Sequence, residues 1–221
     1  MNEPLSRIVQ ILPVGFFRSF EEEVVASFGQ AHQITNQRYE IPERIAMLAQ
    51  NRHALLEAAF RRVAKAHGLD THASETSPKG GSFSWAGMGS IYLLRGNIQS
   101  HCGTPRPTNF RRAWSSLNKW LSPLQYDLID TTREPSRDKL CGMLVVSAYK
   151  GRNADLSMPA FIGLGIPSSD LSSWIVLEPI NKILALYHDM ETEKQTPREA
   201  PIEIKDRAMP VLKKRPDGNG A

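Results

Sequence analysis

The chain has 221 residues, 41% of them apolar and 23% charged, with a formal charge of +4 and a pI near 9.1. That is the composition of an ordinary globular protein rather than a fibrous or low-complexity one, and the length suits one core of about 150–190 residues with a tail. Two cysteines, Cys102 and Cys141, exclude a disulfide framework and point to a reducing, cytoplasmic setting, while no apolar run approaches the ~20 residues of a membrane span. The opening Met1-Asn2-Glu3-Pro4 also lacks the basic-then-apolar layout of a signal peptide, so a soluble protein without membrane contact is expected.

A short helix is predicted from about Leu5 to Leu12, stopped by Pro13. A second runs from Phe16 to Phe28, with Phe17, Phe20, Val24 and Phe28 at helical spacing and Gly29 as its stop. The polar run Gln30 to Tyr39 reads as a connector. Pro42 opens the longest helical pattern, which reaches His67 before Gly68, and Ile45, Leu48, Leu55, Leu56, Ala59, Phe60, Val63 and Ala66 form its apolar stripe. Arg52 falls inside that stripe, which predicts either a break near Gln50-Asn51 or a stem lying along apolar surface, with an inward contact to an anion as the alternative.

Residues Asp70 to Gly89 are rich in Ser, Thr and Gly and read as a long loop leading into a strand, Ser90 to Ile98. The glycines precede the strand and no third glycine follows, so neither a dinucleotide-binding turn nor a P-loop is present. After the turn-rich His101 to Pro107, a helix from about Thr108 to Leu121 is predicted, capped by Thr108 or Asn109. At about 100° per residue, Phe110, Ala113, Trp114, Leu117 and Leu121 share one face, with Arg111, Arg112, Ser115 and Lys119 on the other. Leu124 to Ile129 adds a turn or two.

Strands are predicted at Leu140–Tyr149, Ala160–Ile166 and Trp174–Leu177. The first is apolar on both faces, and the short connections make the three an antiparallel meander. Gly163 and Gly165 share a face with Phe161, which implies a close neighbour, a packed helix being the expected one. A helix from Ile180 to Tyr187 closes the domain. From Asp189 onward charges of both signs mix with Pro197, Pro201, Pro210 and Pro216, the composition of a mobile tail. The expected architecture is α+β: a single domain over 1–188, helical over 1–69 and sheet-containing over 82–188 with about four mainly antiparallel strands, then a tail over 189–221.

One stretch bears on function. From Thr76 to Tyr126 there are six basic residues, no Asp or Glu, and seven aromatic rings. One-sided charge interleaved with planar groups suits an anionic partner. Lys79, Arg106, Arg111, Arg112 and Lys119 are the candidate phosphate contacts, and Trp85 is the candidate stacking residue. The resulting expectation is a non-enzymatic binding or regulatory protein for nucleic acid. An adaptor or inhibitor that binds an acidic protein shares the same charge argument.

Catalytic patterns are thin. Glu203-Ile204-Lys205, with Asp189 upstream, is the only compact Glu-x-Lys on a strand-like run, and it lies in the tail. It underlies the remaining alternative, a small metal-dependent nuclease or hydrolase. Asp127 and Asp130 read as helix polarity, His101-Cys102 as a weak nucleophile candidate, and Cys141 as core. Glu178 is expected to meet Arg95 or Arg112. The six histidines lack metal-ligand spacing, so no metal or cofactor is expected.

Overall fold

A computed structural model describes residues 3–100, 103–121, 137–149, 151 and 154–195. In chain order the elements are α1 (Glu3–Ile11), α2 (Val14–Arg38), α3 (Ile41–Ala66), β1 (Asp70–Glu75), β2 (Ser82–Met88), β3 (Ile91–Asn97), α4 (Asn109–Ser115), a 3-10 segment (Ser116–Leu121), β4 (Leu140–Ala148), β5 (Pro159–Pro167), β6 (Trp174–Pro179) and α5 (Ile180–Gln195). The six strands form one mixed sheet in the order of the chain. The β3–β4 pair is parallel and every other pair antiparallel.

Three layers result. On one face Ile91, Leu93, Leu140, Leu144, Val146, Leu164 and Ile166 pack beneath the phenylalanines of α2, the stripe of α3, and α1 and α5. On the other face Leu94, Cys141, Met143 and Val145 are covered by Trp114 and Leu117 from the β3–β4 connection, together with Phe83, Trp85 and Trp174. Covering both faces is why β4 carries no polar alternation.

The α+β class agrees with the sequence, but the sheet has six strands rather than about four. Both additional strands lie in the stretch read as a loop, where Asp70–Glu75 and Ser82–Met88 form a hairpin. The β1 strand, Asp-Thr-His-Ala-Ser-Glu, is an edge strand without a buried residue, so it needs no hydrophobic period to betray it. The sheet therefore begins at Asp70. Likewise α2 runs through Gly29 to Arg38, because Ala31 and Thr35 continue the buried stripe with small side chains and Asn51 Nδ2 of α3 donates to Thr35 Oγ1 at 3.1 Å. At the other end α5 passes the boundary at 188 and reaches Gln195.

The predicted β4–β5–β6 meander is present. Its glycines face aromatic rings rather than a helix. A Cβ on Gly165 would lie 2.4 Å from the Trp174 ring, and one on Gly163 would lie 2.5 Å from Phe161 and 2.6 Å from the Glu178 carbonyl oxygen. Each glycine is the seat of a ring from its own or the adjoining strand. Helix α3 is unbroken at Arg52, whose guanidinium sits 4.6 Å from the Phe28 ring centroid and donates through Nη2 to the Leu156 carbonyl. Among the described residues, no helix is long and apolar enough to cross a membrane.

Candidate anion-binding site

Thr108 caps α4, its hydroxyl accepting from Arg111 N at 3.4 Å. The start of α4 docks on the β1–β2 turn in two ways: Phe110 stacks on Phe83 at 4.0 Å, and Asn109 Nδ2 donates to Ser77 O at 3.2 Å. Lys79 is exposed in that turn, Arg106 is exposed before α4, and Arg112 is exposed on it. Lys119 is exposed farther along the 3-10 segment.

Three predicted positions differ. Ser115, placed on the outer face by the helical wheel, is fully buried, and its hydroxyl donates to Ser169 O at 3.1 Å. The α-helix ends there and tightens to three residues per turn, so Ser115 and Asn118 share the inward direction. Arg111 also turns inward. Its Nη1 donates to Arg106 O at 2.9 Å, its guanidinium lies 5.3 Å from the Phe110 ring centroid, and Nη2 rests against Gly96. Trp85 is a strand residue of β2, not a loop residue. Its half-buried ring is engaged by His72 at 4.6 Å, Trp114 at 5.1 Å and Tyr92 at 6.1 Å.

The inward turn of Arg111 leads to a break in the sheet. The β2–β3 ladder ends at Trp85–Leu94, whereas β2 stays paired to β1 through Ser82 and β3 stays paired to β4 through Asn97. Between Ser84 and Arg95 the two strands separate, and the Glu57 carboxylate of α3 fills the gap. It accepts from Ser84 N at 2.9 Å and from Arg95 Nε at 2.8 Å. Both partners of this ion pair are buried. Arg61 Nη1 donates to Ser84 Oγ at 2.6 Å, one turn along α3. Arg111 approaches from the opposite face, its Nη2 lying beside Gly96. Arg95 thus pairs with the carboxylate directly, Arg111 acts on it electrostatically, and Arg61 holds the neighbouring Ser84 hydroxyl.

The remaining edge of Arg95 sets two further side chains. Its Nη1 donates to Asn97 Oδ1 and its Nη2 to His53 Nδ1, both at 2.6 Å. A guanidinium has only donors, so His53 must present an unprotonated Nδ1 to it. Partial burial first, then the positive charge of Arg95, hold the His53 pKa below its ordinary 6.5; Arg111 acts in the same direction and Glu57 against it. A depressed folded-state pKa gives stability that is complete above the unfolded value and lost as pH falls toward and through the folded one. Titration of the His53 ring carbons by NMR should show a midpoint below 6.5. A midpoint at or above 6.5 would show that Arg95 does not hold Nδ1.

Other candidates resolve differently. Burial pushes the Cys141 thiol up to about 12, so it is a core side chain and not a nucleophile. Glu178 pairs with Lys182 at 2.8 Å, one turn into α5, rather than with Arg95 or Arg112; β6 lies three strands from β3, and Arg95 there is taken by Glu57. Among the described residues no group of three or more His, Cys, Asp or Glu is placed to hold a metal ion. His101, Cys102, Asp127, Asp130, the Leu124–Ile129 turn and Glu203-Ile204-Lys205 lie outside the described residues.

No protein-family model matches the chain, and no curated protein or solved structure shows significant similarity to it. Glu57 and His53 were missed in the sequence, although the signal was present: Glu57 interrupts the apolar stripe beside Leu56 and Ala59, and His53 lies four residues before it on the same side.

Proposed function

We propose that this is a binding or regulatory protein for an anionic polymer, nucleic acid being the best fit, held against the side of the sheet covered by α4. The observation that carries this reading is the docking of α4 on the β1–β2 turn through Asn109–Ser77 and Phe83–Phe110. It ties the turn that carries Lys79 to the helix that carries Arg112, in a stretch without a single Asp or Glu where Arg106 and Lys119 are exposed as well, and this supports the reading. Exposed lysine and arginine heads suit phosphate oxygens, which fix position without reading sequence. Trp85 has no part in this revised surface, since its ring already packs on His72 and Trp114. Arg111 donates to the Arg106 carbonyl.

Fluorescence anisotropy with labelled duplex DNA, single-stranded DNA and RNA tests the reading. Binding should weaken steeply with salt, and each of Lys79→Ala, Arg106→Ala and Arg112→Ala should lower the log–log slope by about one. Absence of binding to all three polymers at low salt, or slopes unchanged in all three variants, would overturn it.

A further inference from the structure

The break between β2 and β3 has a mouth whose chemistry is fixed by the buried group beneath it. Arg95, 4% exposed, lies under two exposed side chains, Asn97 and His53. Because Arg95 donates to both, it takes the oxygen of the Asn97 amide and the unprotonated nitrogen of the His53 ring. What each side chain has left is therefore a donor: the Asn97 Nδ2 amide hydrogens and the His53 Nε2–H. Neither is free to flip and offer an acceptor without placing a donor against the guanidinium.

Charge around the mouth points the same way. Glu57 is the carboxylate within the break, and both of its oxygens are engaged, by Arg95 and by Ser84 N. Arg111 brings a second guanidinium whose Nε is buried, with no acceptor reaching it among the described residues. The positive charges of Arg95 and Arg106 act on Arg111 and lower its pKa, after burial itself, with Glu57 opposing them. Two inward arginines face one carboxylate, and the outward donors above them have no acceptor among the described residues. The break also lies at the carboxyl ends of the parallel pair β3–β4, the edge at which open sheets with crossover connections bind ligands.

We propose that the mouth of the β2–β3 break is a discrete oxyanion site that takes a phosphoryl group, with Asn97 Nδ2 and His53 Nε2 donating to its oxygens and Arg95 and Arg111 supplying the compensating charge. Arg95 is here a positioning residue, acting through Asn97 and His53. The phosphoryl group has two possible sources, a free phosphate or the terminal phosphate of a nucleic-acid strand. The site is distinct from the exposed Lys79, Arg106 and Arg112 and does not depend on polymer binding.

The test uses the full chain labelled with 15N and titrated with inorganic phosphate, against sodium chloride at matched ionic strength. Phosphate should move the Asn97 side-chain amide and His53 ring resonances to saturation, and chloride should not. Asn97→Asp is the decisive variant. It keeps an oxygen for Arg95 and replaces the outward amide with a carboxylate oxygen, so it should fold and weaken phosphate binding about tenfold or more. Lys65→Ala, about three turns along α3 from His53, should leave phosphate binding unchanged. Equal shifts with phosphate and chloride, or unaltered affinity in a folded Asn97→Asp protein, would overturn the proposal. A parallel comparison of 5′-phosphorylated and 5′-hydroxyl oligonucleotides assigns the source: preference for the phosphorylated strand, lost in Asn97→Asp, assigns the strand end. Equal affinity for the two, with phosphate still saturating the site, assigns a free phosphate. Either result upholds the site, and loss of oligonucleotide binding alone would count against the polymer reading only.

Discussion

Glu57→Ala should lower stability by about 3–5 kcal/mol, the cost typical of removing one partner from a buried ion pair. The side chains of Arg95 and Glu57 are 1% and 9% exposed, so water cannot replace the lost carboxylate without opening the structure. Ser84 N loses its acceptor at the same time, because β3 has already left β2 at that level. Glu57→Gln, which retains an acceptor oxygen, should cost less. The double replacement Glu57→Leu/Arg95→Leu should cost less than Glu57→Ala alone, since paired apolar groups of similar size remove both desolvation penalties. Urea unfolding of the three variants checks the order. A Glu57→Ala protein within about 1 kcal/mol of wild type would mean that the pair is solvated, since exposed pairs are worth no more than that.

Asn118→Ala should be nearly as damaging, at about 2–4 kcal/mol, because buried backbone groups left without partners cost about 1–3 kcal/mol each. Asn118 is fully buried in the 3-10 segment. Its Oδ1 accepts from Cys141 N at 2.8 Å, while Nδ2 donates to Cys141 O at 2.9 Å and to Pro167 O at 2.8 Å. The β4–β5 ladder begins only at Met143–Gly165, and Pro167 has no N–H to extend it. The amide of Asn118 stands in for the missing strand residue and ties the β3–β4 connection to the sheet. Asn118→Asp should be at least as harmful as alanine, since a carboxylate accepts from Cys141 N but repels both carbonyls. Thermal unfolding followed by far-UV circular dichroism would rank the two variants, and a wild-type midpoint for Asn118→Ala would show that these bonds are not limiting.

What could be read from the sequence follows the reach of apolar periodicity. The stripe from Leu48 to Val63 and the doubly apolar Met143–Val146 run required helix and central strand wherever they were placed. β1 escaped because an exposed edge strand needs no such pattern, and the parallel β3–β4 pairing escaped because nothing local distinguishes it from a hairpin partner. The candidate site divides in the same way. Lys79, Arg106, Arg112 and Lys119 are exposed, as their composition suggested. Arg111 and Trp85 were placed by packing against Gly96, His72 and Trp114, contacts that span tens of residues. The meeting of Glu57 with Arg95 depends on where two strands part, which is a property of the assembled sheet.

That parting also grades the molecule by how readily its pieces come loose. The β1–β2 hairpin is joined to the remaining strands by four residue pairs, from Trp85–Leu94 to Met88–Ile91, whereas β3 and β4 share seven. Beyond Trp85 its attachment passes to side chains: Glu57 and Arg61 on one face, Phe83 against Phe110 on the other. Local opening, which follows the lowest density of backbone bonds and buried contacts, would begin at this hairpin and leave the β3–β6 unit intact. Its turn carries Lys79, so any contact made there would oppose the opening of this hairpin.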